Sequence, residues 1–206
     1  MVIMIRLATV QDIPSLKQLI PNSMRTLSVG YYTPAQVESA LVHIFGVDSQ
    51  LIEDNTYYTA LSGEQIVGCG GWSKRKKLFG GDQMKSDEDY FLNPAHDAAR
   101  IRDFFVHPQW ARQGIGKRII QMCEHAAQRE GFQAIELAAS LPGERLYAAM
   151  GYQVTKRFDL TMPDGEVLPS AQMVKSFGDI ERVRMPLSPA KYSSSSGEAT
   201  ATVILE

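Results

Sequence analysis

The chain has 206 residues, 44% hydrophobic and 21% charged, enough for one domain of ordinary size that buries roughly 70% of its unfolded surface. Its 21 Lys and Arg against 23 Asp and Glu leave a net charge of −2, which excludes a general electrostatic grip on nucleic acid or an anionic membrane. Cys69 and Cys123 stand in no CxxC or Cys/His pattern, so neither a disulfide framework nor a metal site is expected. The five apolar residues before Arg6 are too short for a leader, and no run nears the roughly 18 of a span, so a cytoplasmic protein is expected.

Residues 3–7 read as a strand, and Thr9 with Asp12 as a capping box for a helix through Ile20. Tyr31 and Tyr32 read as loop. Thr33, Pro34 and Gln36 open a second helix carrying Val37, Ala40, Leu41 and Ile44. Residues 56–61 and 65–72 form a hairpin around Ser62, Gly63 and Glu64. Periodicity then lapses from 73 to 99, through Lys74, Arg75, Lys76 and Lys77 and an acidic set of Asp82, Asp87, Glu88 and Asp89. This stretch is either a functional excursion or a solvated flap.

A strand follows at 100–107, a helix at 114–129, a strand at 134–140, and a helix at 142–150 closed by Gly151. Residues 152–160 and 167–175 flank Pro163, Asp164 and Gly165 as a last antiparallel pair. This order predicts a mixed α/β (α+β) sheet with one parallel crossover near its centre. The domain is expected to span 1–187, with 188–206 a serine-rich tail ending in ATATVIL. The exposed hairpin and that β-prone end allow a homodimer.

The strand from Arg100 is apolar on both faces at Ile101, Phe104, Phe105 and Val106, placing it inside the sheet. Gly114 and Gly116 then fall where the chain enters a helix, so free N–H groups can converge on a phosphate without a Cβ in the way. Arg112 and Lys117 add charge there. The absence of GK[ST] excludes a P-loop, and a third glycine and a distant acidic partner for a dinucleotide fold are also missing. An ordinary strand-to-helix turn remains the alternative for this segment alone.

Two motifs, in order, bring a family into view. ARQGIG at 111–116 resembles the pyrophosphate loop (Arg/Gln)-x-x-Gly-x-(Gly/Ala) of the GNAT superfamily of N-acetyltransferases, and LYAAMGY at 146–152 resembles its Leu-Tyr-x-x-x-Gly-(Phe/Tyr) helix end. With the opening IRLATVQDI, the resemblance covers about residues 3–175. It implies a mostly antiparallel sheet of about seven strands with a central, splayed parallel pair and about four helices. Two departures stand out: Ala111 occupies the leading Arg/Gln position with Arg112 one place later, and Ser140 stands where many members have Asn.

The resemblance implies an acetyl-CoA-dependent transfer to a primary amine, by direct attack in a ternary complex. The pyrophosphate would lie on Arg112, Gln113, Gly114, Ile115, Gly116 and Lys117, and the pantetheine along the strand edge at Phe105 and Val106. Tyr147 takes the family's position for protonating or hydrogen-bonding the leaving sulfur. A non-catalytic acyl-CoA-binding module, or transfer of another acyl chain, are the alternatives. The acceptor is a small-molecule or peptide amine, with no nucleic acid, membrane or metal.

Other side chains leave two readings each. Strand alternation puts Asp103 and His107 on the face opposite Arg102, Phe104 and Val106, as bases or as solvated groups. Arg102 binds an acceptor anion or forms a salt bridge, and Trp72 walls an acceptor pocket or packs in the core. The Lys74 to Lys77 cluster meets an anion or water. Both cysteines read as small buried apolar residues.

Overall fold

The computed structural model describes residues 2–84 and 90–178, together with the backbone of Ala201 and Thr202. In chain order its elements are β1 (Ile3–Leu7), α1 (Ile13–Leu27), α2 (Pro34–His43), α3 (Ser49–Glu53), β2 (Tyr57–Ser62), β3 (Gln65–Ser73), β4 (Ala99–Val106), α4 (Ile115–Arg129), β5 (Ala134–Ser140), α5 (Leu141–Ala149), β6 (Gln153–Thr161), β7 (Val167–Ser176) and β8 (Ala201–Thr202). The strands make one sheet in the order β1-β2-β3-β4-β5-β7-β6-β8. All neighbours are antiparallel except β4 with β5 and the short β8 against β6.

Local signals set the first helices. Asp12 receives the backbone N–H and hydroxyl of Thr9 at 2.8 and 3.2 Å and is gripped by both Arg6 guanidinium nitrogens, so a single 3-10 turn precedes α1. The helix runs on past Ile20 through Pro21 to Leu27, because Ser23 and Met24 continue its buried face. The Thr33 and Gln36 capping box forms as the sequence predicts. The structure adds α3, a short helix capped by Asp48.

Two apolar cores lie on the two faces of the sheet. One gathers Leu16, Ile20 and Met24 of α1 with Val37 and Ala40 of α2, Tyr57, Cys69, Phe105 and Leu168. The other gathers Ile115, Ile119, Ile120 and Cys123 of α4 with Val67, Ile101, Ile135, Leu137 and Tyr147. Glycines in β3 let these layers close. A Cβ on Gly68 would stand 2.7 Å from Ile115, and one on Gly70 would enter the Phe104 ring.

The acidic residues Asp87, Glu88 and Asp89 lie outside the described residues. So does the tail from 188 onward, apart from the backbone of β8, which pairs with Leu160 and Thr161 of its own chain. No helix among the described residues is long and apolar enough to cross a membrane.

Candidate active site

The central feature is the parting of β4 from β5. They pair only at Ala99 with Ile135 and Arg100 with Glu136, although β4 continues to Val106 and β5 to Ser140. A largely covered ion pair between Arg100 and Glu136 clamps the apex. Gln172 of β7 donates to the same Glu136 carboxylate at 2.7 Å, and Arg100 donates to Ala98 O at 2.9 Å. Beyond the clamp, the β5-facing edge of β4 has no strand partner among the described residues, so backbone groups near Phe105 and Val106 are open to an extended ligand.

A bulge interrupts β4 on its other side. Cys69 pairs with Phe105 and Gly71 with Arg102, so β4 carries one extra residue, and Asp103 takes φ +55°. The extra residue reverses the alternation expected from the sequence. Arg102 turns to an ion pair with Asp48, both side chains fully buried, while Phe104 and Val106 pack on the α4 and α5 face. The expected grouping of Arg102 with Phe104 and Val106 is therefore wrong, and so is a solvated Asp103. Its side chain is buried, and its Oδ2 has no hydrogen-bond partner among the described residues. The bulge is held through the Asp103 carbonyl, which accepts from the Tyr57 hydroxyl at 3.4 Å and the Cys69 thiol at 3.9 Å.

At the end of β4, His107 is no free base; its Nδ1 accepts the Gln109 N–H at 3.3 Å and caps a 3-10 turn. Arg112 and Gly114 then take positive φ of +65° and +82°. The first backbone bond into α4 runs from Arg118 N–H to Gly114 O at 3.1 Å, so the earlier N–H groups of the turn point outward at the positive end of a 15-residue helix. Arg112, Gln113, Gly114 and Lys117 are exposed, whereas Ile115 and Gly116 are buried. A Cβ on Gly116 would come 2.9 Å from Leu146, so this glycine sets the approach of α4 to α5.

Tyr147 lies on α5 in the adjoining core, edge-on to Phe104 at 6.4 Å and to Tyr152 at 5.7 Å. Burial drives its pKa up, with Cys123 and Asp103 adding to the rise, so the phenol keeps its proton. Burial likewise pushes the Asp103 carboxyl up to about 6, against the opposing pull of Arg102 and Lys77. A phenol that holds its proton and a carboxylate that can gain one thus interact electrostatically beside the parted strands.

The model of the acetyltransferase (GNAT) family matches residues 22–152. The chain belongs to that family. Among solved structures, it is similar to a GCN5-related N-acetyltransferase from Rhodopseudomonas palustris at 19% identity, covering 85% of this chain and 98% of that one with a TM-score of 0.62. It is also similar to the PaiA N-acetyltransferase of Thermoplasma acidophilum in complex with coenzyme A, at 14% identity, 86% and 100% coverage and a TM-score of 0.59. A GNAT family acetyltransferase of Brucella melitensis in complex with acetyl-CoA follows at 17% identity, 86% and 89% coverage and 0.52. The comparison with curated proteins gives no match.

In this GNAT acetyltransferase the remaining sequence candidates resolve into structural roles. Trp72 is 3% exposed and packs edge-on against Phe132 at 6.2 Å, as a core residue. Lys74 pairs with Glu130 and Arg75 with Asp54, while the Lys76 ammonium lies over the Tyr90 ring. The basic cluster is thus engaged with its own chain. Both cysteines are buried, and burial pushes the Cys69 thiol up to about 12. No cluster of three metal-ligating side chains occurs among the described residues.

A surface concavity of about 370 Å³ lies away from this chemistry, between Thr56, Trp72 and the C-terminal end of α4 at Arg129. The parted strands outweigh it because Tyr147 and the unpartnered Asp103 carboxylate lie beside them. Sequence reading missed Tyr32, whose buried hydroxyl donates to Pro169 O at 2.7 Å and accepts the first N–H of α5, from Leu141, at 2.8 Å. Its partners lie more than a hundred positions away, so no local pattern marks it.

Proposed function

We propose that this chain transfers the acetyl group of acetyl-CoA directly to a primary amine in a ternary complex. The observation that carries the reading is the parting of β4 and β5 beside a glycine-entered helix, with Tyr147 packed against Phe104 of the unpaired strand. The N–H groups from Gln113 to Lys117 hold the pyrophosphate, helped by Arg112 and Lys117, and the helix dipole favours the same charge. The β4 edge at Phe105 and Val106 receives the pantetheine as an added strand. Backbone recognition of this kind tolerates Ala111 in place of the family's Arg or Gln.

The thioester supplies an activated acyl group; the chain must supply a neutral nucleophile and a donor for the departing sulfur. An amine of pKa ~10.4 costs roughly 4.6 kcal/mol to deprotonate at pH 7, so a nearby proton acceptor matters. Tyr147 acts as a hydrogen-bond donor toward the sulfur. Its raised pKa makes full proton loss harder than for a free phenol but secures the proton for that bond.

Replacing Tyr147 with Phe tests this. Isothermal calorimetry is expected to give an unchanged CoA affinity, while thiol release in the presence of an accepted amine falls about 100-fold. Turnover that survives the substitution would remove Tyr147 from the reaction. Wild-type CoA binding with no transfer across an amine panel would instead support a non-catalytic acyl-CoA-binding module.

A further inference from the structure

The stretch from Lys77 to Met84 is neither a solvated flap nor a free loop. Gly81 N–H donates to Ile44 O at 2.9 Å and Asp82 N–H to Val47 O at 3.0 Å. The Ser49 hydroxyl and N–H both donate to Asp82 Oδ1 at 2.9 Å, and the Lys77 ammonium donates to Gly81 O at 2.7 Å. Gly80 O accepts from the buried Arg102 at 3.5 Å, and Phe79 reaches across to Phe158 of β6 at 6.3 Å. The segment is a strap, sewn to the α2–α3 connection and spanning from β3 to β6 on the face that holds α1 and α2.

Two features under this strap lack a task. The first is the Asp103 carboxylate, buried with Oδ2 unpartnered. A buried carboxylate in this state is costly unless a cation arrives to meet it. Of its cationic neighbours, Arg102 spends one nitrogen on Asp48, its Nε and Nη1 having no hydrogen-bond partner among the described residues, and Lys77 donates to Gly81 O. The second is a set of phenylalanines: Phe45 stands edge-on to Phe105 at 5.9 Å, and Phe45, Phe79 and Phe158 are only partly covered where they pack on that core.

We propose that the acceptor is a small primary amine with an apolar body of aromatic size, its nitrogen received by Asp103 and its body by the phenylalanines beneath the strap. This rests on the acetyltransferase reading above. The strap is tied to its neighbours by the hydrogen bonds above, which favours a compact acceptor over an extended polypeptide. A second ammonium placed against these phenylalanines would be desolvated without a partner.

Asp103 takes one proton from the ammonium and frees the lone pair that forms the C–N bond. As the C–S bond breaks, its electron pair stays on sulfur, and the nitrogen's second proton balances the thiolate while Tyr147 donates to it. Ammonium and thioester give amide, thiol and one proton, which Asp103 returns to water. The charged and titratable groups around Asp103 are Arg102 and Asp48, Lys77 and Asp82 of the strap, Tyr57, Cys69 and Tyr147.

The test uses the full chain with acetyl-CoA and thiol detection, comparing 2-phenylethylamine, 1,4-diaminobutane and a tetraalanine peptide with a free N-terminus. The expected result is a kcat/KM for 2-phenylethylamine at least tenfold above the other two. Phe79→Ala raises its KM about tenfold. Asp103→Asn, which retains the positive φ that Asn tolerates, lowers kcat/KM about 100-fold and flattens its acidic limb, with CoA binding as the check on folding. A preference for the diamine or the peptide overturns the proposal and leaves the acetyltransferase reading standing. CoA binding with no transfer to any amine overturns both, and an Asp103→Asn enzyme with an unchanged pH profile overturns the role of that carboxylate.

Discussion

Asp103→Asn should also make the protein more stable at neutral pH, and by an amount the structure sets. The carboxyl rises from its ordinary value near 3.8 to about 6 in the folded chain, burial outweighing the attraction of Arg102 and Lys77. At about 1.4 kcal/mol per pH unit, a folded protein holding this group ionised above pH 6 is about 3 kcal/mol less stable than one holding it protonated. A carboxyl raised in the folded state helps stability fully below its unfolded pKa, and that help is lost as pH climbs through the folded one. The window is therefore pH 4 to 6. The asparagine amide carries a pH-independent cost of its own, which cancels when two pH values are compared. Urea denaturation of both proteins at pH 4 and pH 7.5 should show the variant gaining about 2 kcal/mol on the wild type between the two. A constant difference between the two proteins across that range would refute an Asp103 held at an elevated pKa, and with it the picture of a buried carboxylate waiting for a cation.

Two further substitutions probe the cofactor loop and the apex. Gly114 has φ +82° and open space where a Cβ would sit, so Gly114→Ala costs only the left-handed strain of roughly 1–2 kcal/mol, or roughly 2–8 °C in Tm. Its CoA Kd should rise more than tenfold, because the added methyl stands on the face that receives the pyrophosphate; a lowered Tm with unaltered Kd would move the ligand off this loop. Arg100→Met strands the largely covered Glu136 with only Gln172 as partner. Urea denaturation should record a loss of about 3–5 kcal/mol, and a loss below about 1 kcal/mol would show that the parted strands do not depend on this clamp.

The parts of the molecule that a sequence announces are those whose causes are local. Thr33 and Gln36 lie three residues apart and satisfy each other's backbone groups, so the start of α2 was legible. The run through Gly114 and Gly116 was legible for the same reason, since a helix N-terminus recognises a phosphate with backbone atoms that follow directly from chain geometry. Tyr147 was legible only through its motif. The helix past Pro21, the short α3 and the strap were not, because each is held by contacts with distant segments, such as Gly81 with Ile44 and Asp82 with Val47.

Asp103 shows the limit most sharply. Alternation along β4 assumes that each residue of one strand faces one of the next, and one extra residue reverses every assignment on one side of it. The cause of that extra residue lies in β3, where Gly70 leaves room for the Phe104 ring, and in Tyr57 and Cys69, which hold the Asp103 carbonyl. Had the register been regular, Arg102 would share a face with Phe104 and Val106 instead of meeting Asp48 on the other face. The choice of which charge lies beside the parted strands is therefore made by the small size of a glycine on the neighbouring strand, so Gly70→Ala should disturb Asp103 chemistry although it touches neither the carboxylate nor the cofactor loop.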